Sequence, residues 1–123
     1  MRSVFTVRAF HRWAKRAEIS DLALFRAIKE LDAGLIDARL AAHLFKKRIP
    51  ASSRGKRGGA RTIVAYMTAR HAFFIYGYLK NEKENLDGVE LFALKQFAAH
   101  LMRLSDAELE RLINRHEIFE VRG

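Results

Sequence analysis

The hydrophobic period of this chain changes twice, and each change marks a change of element. Residues 3–7 (SVFTV) alternate and are β-branched, which predicts a first strand. Phe10, Trp13, Ala14 and Ala17 then recur at helical spacing, so a helix is expected over about residues 8–17. Ser20 stands where an N-cap belongs, ahead of Leu22, Phe25, Ile28 and Leu31 on one stripe. Gly34 is a suitable stop, so a second helix is expected over 21–33.

The middle of the chain turns to strand patterns. HLFKKRI (43–49) alternates, RTIVAYM (61–67) is β-rich and AFFIYGYLK (72–80) is strongly aromatic. TARH (68–71) suits a short hairpin between the last two. Three antiparallel strands are the simplest reading, with RGKRGGAR (54–61) in the loop that joins the first two. On the third strand, alternation points Tyr76, Tyr78 and Lys80 one way and sends Phe73, Ile75 and Leu79 the other way, into the core.

After Lys80 the helical period returns. Asp87 and Glu90 form an Asp-x-x-Glu capping box ahead of Leu91, Leu94, Phe97, Ala98 and Leu101. Ser105 and Glu108 repeat the signal ahead of Leu109, Leu112 and Ile113, and EIFEV (117–121) can form an edge strand. The expected fold class is α+β: two N-terminal helices packed on a small antiparallel sheet, closed by C-terminal helices. The 123 residues suit a single domain spanning 1–123.

Charge sharpens this picture. The net charge is +9, and residues 38–80 hold ten cations and no acid. The flanking segments 17–37 and 81–123 hold five and nine acids. A chain needing charge only for solubility mixes its signs. A run of one sign fits a surface that meets phosphate, with an ordinary basic surface or a patch covered by an acidic partner as the plainer readings. Lys46, Lys47, Arg48, Arg54 and Arg57 are the candidate RNA-binding cations of this run. There is no cysteine, which excludes disulfides and cysteine-held metal and fits a reducing cytosol. No apolar run reaches signal-peptide or membrane-span length, so a soluble, cytoplasmic protein with no membrane partner is expected.

Most familiar chemistries find no footing. The five histidines, at 11, 43, 71, 100 and 116, lack metal-ligand spacing, so no metal and no cofactor is expected. GxxxxGK[ST], GxGxxG and GxSxG are absent. What remains is a set of cations and tyrosines: Tyr76, Tyr78 and Lys80 on one strand face, Arg61 at the start of the neighbouring strand, and Lys56 and Arg57 on the glycine loop. RNA is cleaved without metal when a base takes the 2′-OH proton and cations stabilise the crowded phosphate. Arginine suits the second task through its two-pronged fork. Burial beside other cations would lower the pKa of Lys80 and make it a base or acid. On the residues alone, this reading stands beside one in which the tyrosines pack and the lysines sit in water.

GLIDARL, FKKRI, GKRGGART, AFFIYGYLKNE and LKQFAAHLMRLSDAELERLI follow one another in this order. Together they resemble the RelE/HigB-type toxins of bacterial toxin–antitoxin pairs, the branch with GK-x-GG-x-R followed by YG-x-x-KNE. The resemblance runs from about residue 4 to residue 121. It implies a RelE-like fold and a metal-independent endoribonuclease that cuts mRNA, typically on the ribosome, to inhibit translation. The 2′-OH attacks the scissile phosphate and leaves a cyclic phosphate and a 5′-OH. It also implies a cognate antitoxin, often one with a helix-turn-helix DNA-binding domain. Lys56, Arg61, Lys80 and Tyr78 carry over as catalytic positions. The chain departs from the pattern at Ala60, where tyrosine is common, at Pro50 and Ala51, where arginine often stands, and at Phe119, the aromatic nearest the C-terminal tyrosine of some relatives. Arg54 or Arg57 can supply the arginine charge. Two rival functions remain on the same fold: a ParE-like inhibitor of DNA gyrase, and a nucleic-acid-binding module without activity.

Overall fold

The computed structural model describes residues 3–50, 59–67, 70–83 and 85–123. Among these the order is β1 (Val4–Val7), α1 (Arg8–Arg16), α2 (Asp21–Asp32), β2 (Ala38–Ala41), β3 (Leu44–Ile49), β4 (Ala60–Ala65), β5 (Ala72–Leu79), α3 (Gly88–Met102), α4 (Asp106–Asn114) and β6 (Ile118–Val121). The fold is α+β, as expected from the pattern.

Local chemistry fixes the helix ends. The Ser20 hydroxyl accepts the Ala23 N–H at 3.1 Å and starts α2. Both capping boxes form: Asp87 with Glu90 opens α3, and Ser105 with Glu108 opens α4. Each such cap contributes about 1 kcal/mol by satisfying N–H groups that the helix leaves open.

The described strands form one sheet in the order β2-β3-β4-β5-β1-β6. The predicted antiparallel trio β3-β4-β5 is at its centre. The sheet is larger than expected and is mixed. β1 inserts parallel to β5, and β6 closes the edge antiparallel to β1. β2, paired only with β3 and half-exposed, is an additional edge strand. Of the predicted TARH hairpin, residues 68 and 69 lie outside the described residues.

Helices cover both faces. On one face Phe10 of α1 stacks on Phe74 at 5.3 Å, and the Tyr66 hydroxyl donates to Asp32 of α2 at 2.5 Å. On the other, Phe5 stacks on Phe73 at 5.3 Å, and Phe73 meets Leu101 of α3 and Leu109 of α4 around one small cavity. Phe10, Phe73 and Phe74 are almost fully buried. Each such ring stabilises the fold by roughly 1.5–3 kcal/mol through apolar burial.

One irregularity sets the geometry of the site. Ile63 pairs with Tyr76 while Val64 pairs with Phe74, so Ile75 is an extra residue in β5. Such a bulge reverses the phase of the side chains beyond it. Phe73 and Tyr76 therefore share the face of α3, although they are three positions apart. This corrects the expectation that Phe73 points away from Tyr76: strict alternation assumes a strand without an inserted residue.

Candidate active site

The antiparallel register sets Arg48 of β3 opposite Arg61 of β4, and Arg61 opposite Tyr78 of β5. Directly opposed residues place their side chains on the same face. Lys46, Ile63 and Tyr76 form the next row. The face therefore carries two arginines and a tyrosine in line, with a lysine and a second tyrosine beside them. The Arg48 side chain is exposed, and its backbone N–H is fixed by the Asp37 carboxylate at 2.5 Å. Lys46 Nζ donates to Asn85 Oδ1 at 3.3 Å, which leads the chain toward α3.

Tyr78 is the most unusual member. It is buried, and its hydroxyl has no hydrogen-bond partner among the described residues. Burial pushes its pKa up, while the charges of Arg61 and Lys83 pull in the opposite direction. The phenol therefore keeps its proton at neutral pH and can act as a donor. A buried hydroxyl without a partner costs about 1–3 kcal/mol.

Beside this row, Tyr76, Lys83 and Glu90 close a network that sequence reasoning did not resolve. Lys83 Nζ donates to Glu90 Oε2 and, at 3.2 Å, to the Tyr76 hydroxyl. Tyr76 in turn donates to Glu90 Oε2 at 3.2 Å. Glu90 Oε1 meanwhile accepts the Asp87 N–H of the capping box at 3.1 Å. One carboxylate thus caps α3 and anchors a lysine next to Tyr78. Its hydrogen bond to Lys83 holds its pKa below the usual glutamate value, and the same bond raises that of Lys83. The capping box was legible in the sequence; the second role of Glu90 depended on where β5 would lie.

The other expected site residues divide. Lys80 follows β5 in a turn, its N–H reaching the Gly59 carbonyl at 3.4 Å. It is exposed, so the burial expected for it is not there. Lys47 sits on the opposite face, buried under α2. Its ammonium pairs with Glu30 Oε1 at 2.7 Å and donates to the Leu35 carbonyl at 3.2 Å. That separates it from the row of Arg48, Arg61 and Tyr78. Its neighbours at two residues' distance, Phe45 and Ile49, are both buried, and this was the signal in the sequence. Lys56, Arg54 and Arg57 lie outside the described residues.

Two departures from the resemblance also find places. Ala60 is fully buried, opposite Ile49 and Leu79. Phe119 stacks on His11 at 4.0 Å on β6, which β1 separates from β5. Among the described residues no cluster of histidine, aspartate and glutamate could hold a metal, and no helix is long and apolar enough to cross a membrane.

A sequence profile described as "RelE toxin of RelE / RelB toxin-antitoxin system" matches residues 1–121. The chain belongs to the RelE toxin family. It is thus the toxin of a toxin–antitoxin pair, and membership implies an antitoxin partner. None of the curated proteins matches the chain as a relative. The row sets two guanidinium forks, of the kind that match phosphate oxygens, in line with a buried phenol that retains its proton.

Proposed function

We propose that this RelE toxin is an endoribonuclease that cuts mRNA on the ribosome without a metal ion and so stops translation. The observation that carries the reading is the row that sets Arg48 and Arg61 in line with Tyr78, whose buried hydroxyl has no hydrogen-bond partner among the described residues. An RNA phosphate drawn to the two arginines would lie beside that tyrosine.

In the reaction, the 2′-oxygen loses its proton to the amine of Lys56, acting as the base, and attacks the neighbouring phosphorus. The bond to the 5′-oxygen breaks, leaving a 2′,3′-cyclic phosphate on one fragment. The departing 5′-oxygen gains a proton and becomes a 5′-OH. Arg61, with Arg48 and Lys80 nearby, balances the negative charge that grows on the crowded phosphate. Tyr78 donates to that phosphate, or to the departing oxygen, because burial keeps it protonated. Lys46, Arg48, Arg54 and Arg57 hold the strand. The cognate antitoxin, carrying a helix-turn-helix domain, silences the toxin in the cytoplasm.

The test is to mix the purified toxin with ribosomes carrying a defined mRNA and to map the new ends. The reading predicts cleavage with a cyclic phosphate on one side and a 5′-OH on the other. Intact mRNA, with inhibition of DNA supercoiling by gyrase instead, would replace it with the ParE-like reading. Ends bearing a 5′-phosphate would overturn the chemistry.

A further inference from the structure

β1 stops pairing with β5 at Phe74, so the second half of β5 runs on with one flank open. A cleft of about 360 Å³ lies along this flank, lined by Trp13 and Arg16 of α1, by Tyr76, Gly77 and Tyr78, and by Lys83. The nuclease chemistry above uses neither Trp13 nor Arg16. We propose that this cleft seats one nucleobase of the bound RNA, next to the nucleotide whose phosphate lies on Arg61. The proposal rests on the reading of the chain as an RNA-cutting toxin.

Three features make the cleft a site for a base. The first is its aromatic wall. Trp13 lies against Gly77 so closely that a Cβ there would meet its ring at 2.2–2.6 Å. Glycine is therefore required at this position, and its absent side chain leaves the flat indole on the strand. Tyr76 and Tyr78, with ring centres 6.0 Å apart, form the wall on the other side of β5. Base stacking on such rings tolerates any base, because every base has a π-face.

The second feature is a backbone reader. Lys80 N–H bonds the Gly59 carbonyl, and counting back along the antiparallel ladder turns the N–H and C=O of Gly77 away from β4. They face the open flank, where β1 has already ended. The next outward N–H, that of Leu79, confirms the phase: it is taken by Glu82 Oε1 at 3.1 Å. Adjacent donor and acceptor groups on one residue match the adjacent acceptor and donor on a base edge.

The third is position. Arg16 brings a positive charge to the cleft for an adjoining phosphate, Lys83 is held there by Glu90 and Tyr76, the Glu82 carboxylate accepts the Leu79 N–H, and Tyr78 belongs both to the cleft and to the row containing Arg61. A base seated here is thus adjacent to the proposed cleavage point.

Trp13 is the single tryptophan of the chain, so its fluorescence reports on the cleft directly. The probe is a dye-labelled RNA hexamer with 2′-O-methyl riboses, which attack through the 2′-oxygen cannot cut. It is titrated into the full-length toxin with anisotropy following binding and tryptophan emission following the cleft. Binding is expected to quench Trp13. Removing the base at one position should abolish the quench and weaken binding about tenfold; removing bases elsewhere should do less. Arg16→Gln should weaken binding of the intact hexamer. The proposal is overturned if the RNA binds and Trp13 emission stays constant, if no single base matters, or if no RNA binds at all. Cleavage of ribosomal mRNA with a silent Trp13 would remove the base site and leave the nuclease standing. A base-dependent quench without cleavage would do the reverse.

Discussion

Lys47 and Arg48 are adjacent in the chain, carry the same charge and end on opposite faces of the same three strands. On the face covered by α2, the Lys47 ammonium is enclosed by Glu30 and the Leu35 carbonyl, and its charge is used up in holding β3 to α2. On the other face, Arg48 and Arg61 stand in a row with a tyrosine whose hydroxyl is left without a partner among the described residues. The contrast teaches that a basic run is not a basic surface. In a strand, alternation divides the cations between two faces, and burial and partners tell which of them serve the fold.

The largest expected effect comes from removing the fork of Arg61. Arg61→Ala should abolish growth arrest on induced expression while the protein still folds, since loss of a transition-state contact typically lowers the rate about 10²–10³-fold. A folded variant that arrests growth like wild type would move the active centre elsewhere.

Tyr78→Phe divides stability from function more finely. Deleting a buried hydroxyl that has no partner among the described residues should leave stability unchanged or raise it by about 1 kcal/mol. Cleavage should nevertheless fall at least about tenfold, because the donor to the phosphate is gone. Urea unfolding alongside single-turnover cleavage checks both; a loss of stability with full activity would make Tyr78 a packing residue.

Lys47→Met is the counterpart on the covered face. It should cost about 1–2 kcal/mol, modest because Glu30 is half-exposed and the pair is partly screened. The salt dependence of RNA binding should not change. Arg48→Gln should show the opposite: unaltered stability, and a slope of log K against log salt smaller by roughly 0.7. Equal slopes for the two variants would erase the difference between the faces.

The smallest effect concerns Glu90. Its folded pKa is below its unfolded one, so its stabilisation is complete above the ordinary glutamate value and is lost as the pH falls through the lower, folded value. The difference in Tm between wild type and Glu90→Gln should therefore shrink on acidification below about pH 4.3. A difference that persists at the acid end would assign the effect to packing instead.

Much of this fold was legible because the signals are local. The Ser20 cap, both capping boxes and the three central strands follow from residues within a few positions of one another. The parallel insertion of β1 between β5 and β6 joins residues about seventy and more than a hundred positions apart, which no local pattern encodes. β2 lacks a strand signature because it is short, half-exposed and paired on one side only. The bulge at Ile75 is likewise set by β4, and it changed which face Phe73 shares. In the candidate site, strand patterning puts Tyr78 on one strand face and Arg61 at the start of the neighbouring strand, while the register that sets them opposite each other belongs to the folded sheet. The burial of Lys47 was visible in the company of Phe45 and Ile49 but was outweighed by the run of charge around it.

The most direct test of the two-face account sets Arg61→Ala and Lys47→Met side by side in single-turnover cleavage of ribosome-bound mRNA, at toxin concentrations that saturate binding. Loss of a transition-state contact predicts a rate about 10²–10³-fold below wild type for Arg61→Ala, whereas Lys47→Met, measured where it is folded, should cut at the wild-type rate. Equal losses in the two variants, or an Arg61→Ala protein that still cuts normally, would contradict the assignment of chemistry to the face of Arg48 and Arg61.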